Sequence, residues 1–195
     1  MNSDGKRTGW WQRLSGALQT LATPRNTVLI TAAFLIFCAL TLPALNTEMM
    51  AVSDGLGTPD RRLFYDREQL FALAEVFGAE GRRAYIASRL RIDVALPIGY
   101  MLVLSSWMGC LRGRVTRPGQ WLNLLPVAAM TADLVEGLAV SMVMAAYPVR
   151  DGLWSMAAMV ATPMKWGFVL LSLGAVVLLA WRRFGRRADA SVEPG

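Results

Sequence analysis

Four ionisable residues lie inside long apolar stretches of this sequence: Asp93, Asp133, Glu136 and Lys165. Charged side chains within membrane-spanning segments are costly, and by default they mark a binding site, a proton path or a helix contact. A lysine that faces two carboxylates can neutralise one acid and leave the other to titrate or to bind a ligand. These four residues are therefore the candidate site, for a small solute, a proton or a lipid.

The spacing of three of these residues predicts that they lie at similar depths. Asp133 is eleven residues beyond Leu122, and Lys165 is eleven residues beyond Trp154, where two apolar stretches begin. At about 1.5 Å per residue, both lie roughly 16 Å deep, close to the middle of a hydrocarbon core of about 30 Å. Glu136 follows Asp133 by one helical turn on the same face. We expect a Lys165–Asp133 pair between neighbouring antiparallel helices.

Asp93 is predicted to lie nearer the outer surface, one turn before Pro97. A bend at this proline would turn the Asp93 carboxylate inward, so that the four residues form a polar track from the surface to the midplane. One acid is then left without a basic partner. It is expected to be protonated, to pair with Arg89 or Arg91, or to bind a ligand.

Four apolar runs are long enough to position these residues on membrane-spanning helices. Hydrophobic residues make up 54% of the 195-residue chain, and this fraction exceeds that of an ordinary soluble domain. The mean hydropathy is also positive. The sequence therefore predicts an all-α integral membrane protein. Its transmembrane domain, residues 27–181, is a four-helix bundle with spans at about 27–46, 92–111, 122–147 and 154–181.

The segments outside the spans carry their own patterns. Residues 1–26 place tryptophans and leucines at helical spacing, which is typical of an amphipathic helix lying in the membrane interface. The long first loop, 47–91, is predicted to be partly helical. Thr58-Pro59-Asp60 has the residue types of a helix start, and an apolar stripe follows from Leu63 to Phe77. Residues 182–195 form a basic tail.

Basic residues next to the spans predict the orientation. They occur in the N-terminal segment, between the second and third spans, and directly after the fourth span: Lys6, Arg7, Arg13, Arg25, Arg112, Arg114, Arg117, Arg182 and Arg183. Both termini are therefore expected in the cytoplasm, with 47–91 as an outer loop. The excess of arginine over lysine is typical of a GC-rich bacterial genome, which favours a bacterial inner membrane. Because topology accounts for the net charge of +6, we do not predict nucleic-acid binding.

Other residue types exclude several chemistries. The chain has no histidine, which removes bis-imidazole haem, zinc-hydrolase and His-ligated di-iron sites. Cys38 and Cys110 are predicted at different depths, too far apart for a disulfide. No C-x-x-C, Walker A, G-x-S-x-G or H-E-x-x-H motif is present.

Several methionines fall in the outer half of the predicted bundle. They can bind Cu(I) or fill irregular apolar space. We favour the filling of apolar space and predict no metal or cofactor.

Small residues indicate close helix contacts. Ser105 and Gly109 are four residues apart on the second span, and Gly167 and Gly174 are seven apart on the fourth. Such residues allow helix backbones to approach closely. The contacts are either within the bundle or between copies of the chain.

Three function classes remain open. We prefer a protein that binds or translocates a small solute, proton or lipid at the Asp/Glu/Lys cluster. The alternative is a non-catalytic accessory or assembly subunit of a larger membrane complex, which the small size, the lack of a catalytic motif and the glycine-lined helix faces favour. The cluster also has a purely structural explanation, in which the ion pair only pins two helices together. A membrane enzyme acting on lipid would need the same carboxylates as acid and base, and no motif favours it. Acids that face inward favour a site, whereas acids that face lipid require a protein partner.

Overall fold

The computed structural model describes residues 10–112, 120–150 and 152–190. Parts of three predicted segments lie outside these residues: 1–9 of the cytoplasmic segment, 113–119 of the basic loop and 191–195 of the tail. Asp151, in the predicted short outer loop, also lies outside them. Throughout the described residues the chain is helical, without a strand, which confirms the prediction of an all-α chain.

Seven α-helices follow one another along the described chain. They are α1 (Trp10–Leu21), α2 (Pro24–Val52), α3 (Arg67–Val76), α4 (Gly78–Ser88), α5 (Ala95–Arg112), α6 (Leu124–Ala146) and α7 (Gly152–Ala190). Short 3₁₀ segments occupy Pro59–Arg61 and Gln120–Asn123, and a π-helical segment, Arg89–Asp93, joins α4 to α5.

Three helices of the described chain are long and apolar enough to cross a membrane: α2, α6 and the Gly152–Phe184 part of α7. They indicate a membrane-embedded protein. The outward faces of these helices are apolar, as lipid contact requires; on α2, for example, Val28, Leu35 and Leu40 are all exposed. The second predicted span, about 92–111, corresponds to α5, which has 18 residues, includes Pro97 and ends at Arg112.

The structure differs from the sequence prediction at the start of the loop helix. Thr58 makes no side-chain cap, and Pro59–Arg61 forms only a single 3₁₀ turn. The helix instead begins at Arg67, behind a capping box. In this box, Asp66 accepts a hydrogen bond from the backbone N–H of Gln69 at 2.7 Å, and the Gln69 side chain accepts one from the Asp66 N–H at 3.2 Å. Reciprocal capping satisfies two backbone N–H groups at the start of α3. The Thr58 side chain provides no comparable cap for the segment that follows it.

Helices α3 and α4 cover the ends of α6 and α7. Gly78 has a positive φ of 60°, a conformation that suits glycine and turns the chain between α3 and α4. The apolar faces of the two short helices join α6 and α7 in a buried cluster that includes Leu70, Phe71, Leu73, Phe77, Tyr85, Val140, Val143, Met144 and Ala158. This cluster fixes the position of the loop residues that border the charged centre of the bundle.

The molecule has two distinct ends. At the end that we call the terminal end, Asn123 donates to Ser15 at 3.3 Å, and Arg183 donates to the carbonyl oxygen of Cys110 at 2.6 Å. The opposite end, which we call the loop end, comprises residues 53–66, α3, α4 and residues 147–150. Arg67 Nη2 donates to Gly152 O there, at 3.4 Å.

Glycines on α5 and α7 have different surroundings. A Cβ added at Gly109 would lie only 2.4 Å from the Cβ of Ala22, so the chain before α2 packs directly on the α5 backbone. A Cβ added at Gly167 or Gly174 would meet nothing within 4 Å. The small-residue face of α5 is therefore a close contact within the chain, whereas these two α7 glycines face open space.

We expect Gly109→Ala to destabilise the protein and Gly174→Ala to leave its stability unchanged. The alanine at 109 forces Ala22 and the adjoining backbone to move, and overpacking of this kind destabilises by about 1–3 kcal/mol. Thermal unfolding of both variants in the same detergent measures the difference. Equal melting temperatures for the two variants would contradict the close contact.

Candidate functional site

Three of the four predicted site residues meet between α6 and α7. Lys165 Nζ lies 3.5 Å from Asp133 Oδ1, and it donates a shorter hydrogen bond to Glu136 Oε2. All three side chains are enclosed, with 5% of Lys165, 8% of Asp133 and none of Glu136 exposed. The sequence predicted Asp133 as the partner of Lys165. In the structure Glu136 is the closer partner, because it projects from the next turn of α6 directly at the Lys165 ammonium group.

A hydrogen-bonded line continues from Glu136 to the loop end. Thr162, one turn before Lys165 on α7, lies within hydrogen-bonding distance of Glu136 Oε1 and 3.0 Å from the Tyr65 hydroxyl. A threonine hydroxyl has one proton to donate. Since the carboxylate only accepts, the line is satisfied when Thr162 donates to Glu136 and Tyr65 donates to Thr162. Tyr65 thereby connects the loop to the charged centre.

Asp133 has a separate contact with α5, through the carboxylate oxygen that does not face Lys165. The Tyr100 hydroxyl, on α5, donates to Asp133 Oδ2 at 3.2 Å. The two acids of α6 are thus held differently: Glu136 by Lys165 and Thr162, and Asp133 by Lys165 and Tyr100. This difference assigns Glu136 to the interior of the α6–α7 pair and Asp133 to its α5-facing side.

Asp93, the fourth predicted site residue, is the last residue of the π-helical segment, and its side chain lies outside the described residues. Arg89, which was expected as a partner for an acid, begins the same segment and is only 7% exposed. Its Nε donates to the Tyr85 hydroxyl at 2.9 Å. Its guanidinium lies beside Gly137, one turn after Asp133, where an added Cβ would be 3.7 Å from Nη1. Arg91 is exposed.

A cavity of about 530 Å³ lies beside the charged centre, between α2, α5 and α7. Its volume falls within the roughly 300–1,000 Å³ typical of small-molecule pockets. Asp133, Lys165 and Tyr100 form part of its wall, whereas Glu136 stands behind Lys165. Its other lining residues are mainly apolar and include Phe34, Leu42, Leu45, Met49, Leu96, Val103, Leu104, Val169 and Leu173.

Sequence reasoning located the charged residues but missed their polar neighbours, Tyr100, Thr162 and Tyr65. Two of them carried a usable signal. Tyr100 lies within a predicted span, where a phenol needs a hydrogen-bond partner, and Thr162 precedes Lys165 by one turn on the same helix face. Tyr65 gave no comparable signal, because its sequence position in a loop does not show that the folded loop brings it to Thr162.

Comparisons with known proteins supply no further assignment: no protein-family model, curated protein or solved structure matches this chain. Only the site itself therefore indicates a function. A carboxylate, an ammonium group and a phenol at the wall of an apolar cavity can orient the polar part of a bound molecule or exchange a proton with it.

We expect Lys165→Met to destabilise the protein by about 3–5 kcal/mol, because it leaves two buried acids without their shared cation. Adding Glu136→Gln to this variant removes one of these acids and should recover part of the loss. Denaturant or thermal unfolding in detergent measures both effects.

Glu68→Gln is the matched control. It breaks the Glu68–Arg150 pair, whose side chains are 72% and 60% exposed, and it should change the stability by less than about 1 kcal/mol. Wild-type stability in Lys165→Met would contradict the central role of the lysine.

Proposed function

We propose that this protein binds a small amphipathic molecule in the cavity between α2, α5 and α7. The polar part of the ligand faces Asp133, Lys165 and Tyr100, and the apolar part contacts the surrounding aliphatic side chains. The observation that carries the proposal is the cavity of about 530 Å³ directly beside a buried ion-paired cluster.

The direction of the acids supports a site within the chain. Asp133 and Glu136 both face inward, and Asp133 borders the cavity. An acid that served only to hold a separate subunit would face the lipid side of the bundle. An ion pair that served only to join α6 to α7 would not need a second carboxylate at a cavity wall.

The walls of the cavity favour a ligand that enters from the bilayer. Helices α2 and α7 both line it, but they do not pack extensively against each other. Leu173, on the α7 side of the cavity, is 46% exposed. A gap between two apolar helices admits a lipid-like molecule sideways, so we favour an amphiphile over a strongly hydrated solute.

We also propose that α5 is a fourth span and that both termini lie in the cytoplasm. Helix α5 lies antiparallel to α2, because Ala22 lies against Gly109 and Phe34 against Gly99. Thr27 also donates to Ser106 O at 3.3 Å, and Trp107 Nε1 donates to Thr31 at 3.0 Å. It also packs against α6 and α7. With α5 counted, both termini lie at the terminal end, and the basic residues flanking the spans favour the cytoplasm there. A bacterial inner membrane is the setting this charge pattern favours.

Reporter fusions test this topology. We expect green fluorescent protein fused after residue 195 to fluoresce and alkaline phosphatase at the same position to be inactive, since the first requires the cytoplasm and the second the outer side. The same reporters fused after residue 56 should give the opposite pattern. An active phosphatase at the C-terminus would contradict this topology and indicate an odd number of spans or the reverse orientation.

For the ligand, we expect native mass spectrometry of protein extracted gently from its host membrane to retain a small amphiphile. Asp133→Asn should reduce the retained mass by about tenfold, because Asp133 holds Lys165 and Tyr100 at the cavity wall and one charge-assisted contact from such a group contributes about 1.5–3 kcal/mol. Val169→Trp should displace the ligand by filling the cavity.

Two matched variants make the result specific. Glu75→Gln removes an exposed acid outside the cavity, and Val177→Trp adds the same ring on an exposed face of α7; both should retain the ligand. A retained protein partner without a ligand mass would favour the accessory-subunit alternative. Equal retention by Val169→Trp and Val177→Trp would place the ligand outside the cavity.

A further inference from the structure

The cavity changes chemical character along its length. At the loop end its wall includes Asn46, Thr58, Arg61, Ser88 and Arg89. At the middle lie Asp133, Lys165 and Tyr100. Beyond them, toward the terminal end, the wall is formed by aliphatic and aromatic side chains such as Phe34, Val103 and Leu173. A molecule that matches this gradient has its polar head between the loop end and Lys165, and its apolar tail beyond Lys165, toward the terminal end.

The polar end of the cavity is basic. Arg61 Nη1 donates to the neutral Asn46 Oδ1 at 2.5 Å, and Arg89 donates through Nε to the Tyr85 hydroxyl. Among the described side chains that line this end, none is a carboxylate. Arg89 is only 7% exposed, so its charge acts where water screens little. The charged groups among the described residues that line this end are therefore two guanidinium groups.

The acid at the middle of the cavity does not reverse this preference. Asp133 already faces Lys165 at 3.5 Å and accepts a hydrogen bond from Tyr100 at 3.2 Å. Glu136, the other acid, does not line the cavity and is engaged by Lys165 and Thr162. Donors and cations thus outnumber acids among the described polar side chains that line the cavity.

Resting on the function proposed above, we infer that the ligand is an amphiphile with an anionic head, either a carboxylate or a phosphate. The anionic head lies between Lys165 and the loop end, where Arg61 and Arg89 line the cavity, and the hydrocarbon chain extends from Lys165 toward Leu173. This is also the orientation of a lipid in the leaflet at the loop end, whose head lies at the surface and whose chain points to the midplane. Such a molecule can move sideways from that leaflet into the cavity without turning over.

Head-group preference is tested on the full chain in nanodiscs of zwitterionic phosphatidylcholine. Four probes with the same sixteen-carbon chain are compared at equal concentration: palmitate, palmitoyl lysophosphatidate, monopalmitoylglycerol and hexadecyltrimethylammonium. Bound probe is counted by native mass spectrometry. We expect one of the two anionic probes to bind about tenfold or more above the neutral and cationic probes, as charge-assisted hydrogen bonds imply. The comparison of palmitate with lysophosphatidate separates a carboxylate head from a phosphate head.

Neighbouring arginines provide matched variants. Arg61→Gln and Arg89→Gln should each reduce binding of the preferred anionic probe by about tenfold, while leaving binding of the neutral probe nearly unchanged. Arg62→Gln and Arg91→Gln remove the same charge from side chains outside the cavity lining, so they should bind the probe like the wild type. Arg61 is exposed, which makes its variant safe for folding even if Arg89→Gln is not.

The outcomes separate this inference from the proposed function. Preference for an anionic probe, lost in Arg61→Gln but not in Arg62→Gln, supports both. Preference for the cationic or neutral probe, displaced by Val169→Trp, overturns the anionic head and leaves the cavity as an amphiphile site. Anionic binding that falls equally in Arg61→Gln and Arg62→Gln reflects general surface charge and also overturns the inference. Failure of all four probes to bind contradicts both proposals.

Discussion

The ammonium group of Lys165 is the constraint on which the centre of this molecule depends. A lysine near the middle of a membrane-spanning helix is stable only when anionic or polar groups replace its hydration. Glu136 and Asp133 supply those groups from a single face of α6, and their spacing of one turn holds α6 and α7 in one register. Small buried residues on the two helices, among them Ala132 and Ala161, permit the close approach that this contact requires.

The same contact extends its effect to the rest of the bundle. Because Tyr65 bonds Thr162, which in turn bonds Glu136, the loop before α3 must lie over the α6–α7 pair. Because Tyr100 reaches Asp133, α5 is held in contact with the same pair. The capping box at Asp66 and the buried cluster of α3 and α4 hold the loop in the required place. Loop, α5 and α7 are therefore linked through a few polar atoms within an otherwise apolar interior.

Sequence patterns predicted those parts of the structure that depend on composition, on the length of apolar runs and on residue spacing along a helix. Helical character and the long apolar helices follow from composition and run length, and the equal depths of Asp133 and Lys165 follow from counting along two helices. The pairing of Lys165 with Glu136 in preference to Asp133 depends on helix rotation, which spacing alone does not fix. Tyr65 reaches Thr162 across 97 residues of chain, and the cavity exists only because α2 stands away from α7. Both are properties of packing.

The separation of α2 from α7 has a physical consequence for how the cavity is occupied. Protein interiors pack to the density of organic crystals, and large voids are strongly unfavourable. A cavity of about 530 Å³ that opens between apolar helices therefore favours the proposal that an acyl chain or another apolar group fills it. The apolar end accepts any such chain, since dispersion contacts discriminate little among hydrocarbons. On the proposed function, selectivity comes from the charged groups that line the cavity, which are Arg61 and Arg89 at one end and the Lys165–Asp133 pair at the middle. The polar residues of the cavity would then decide which amphiphile is held, and the apolar residues would decide that an amphiphile is held at all.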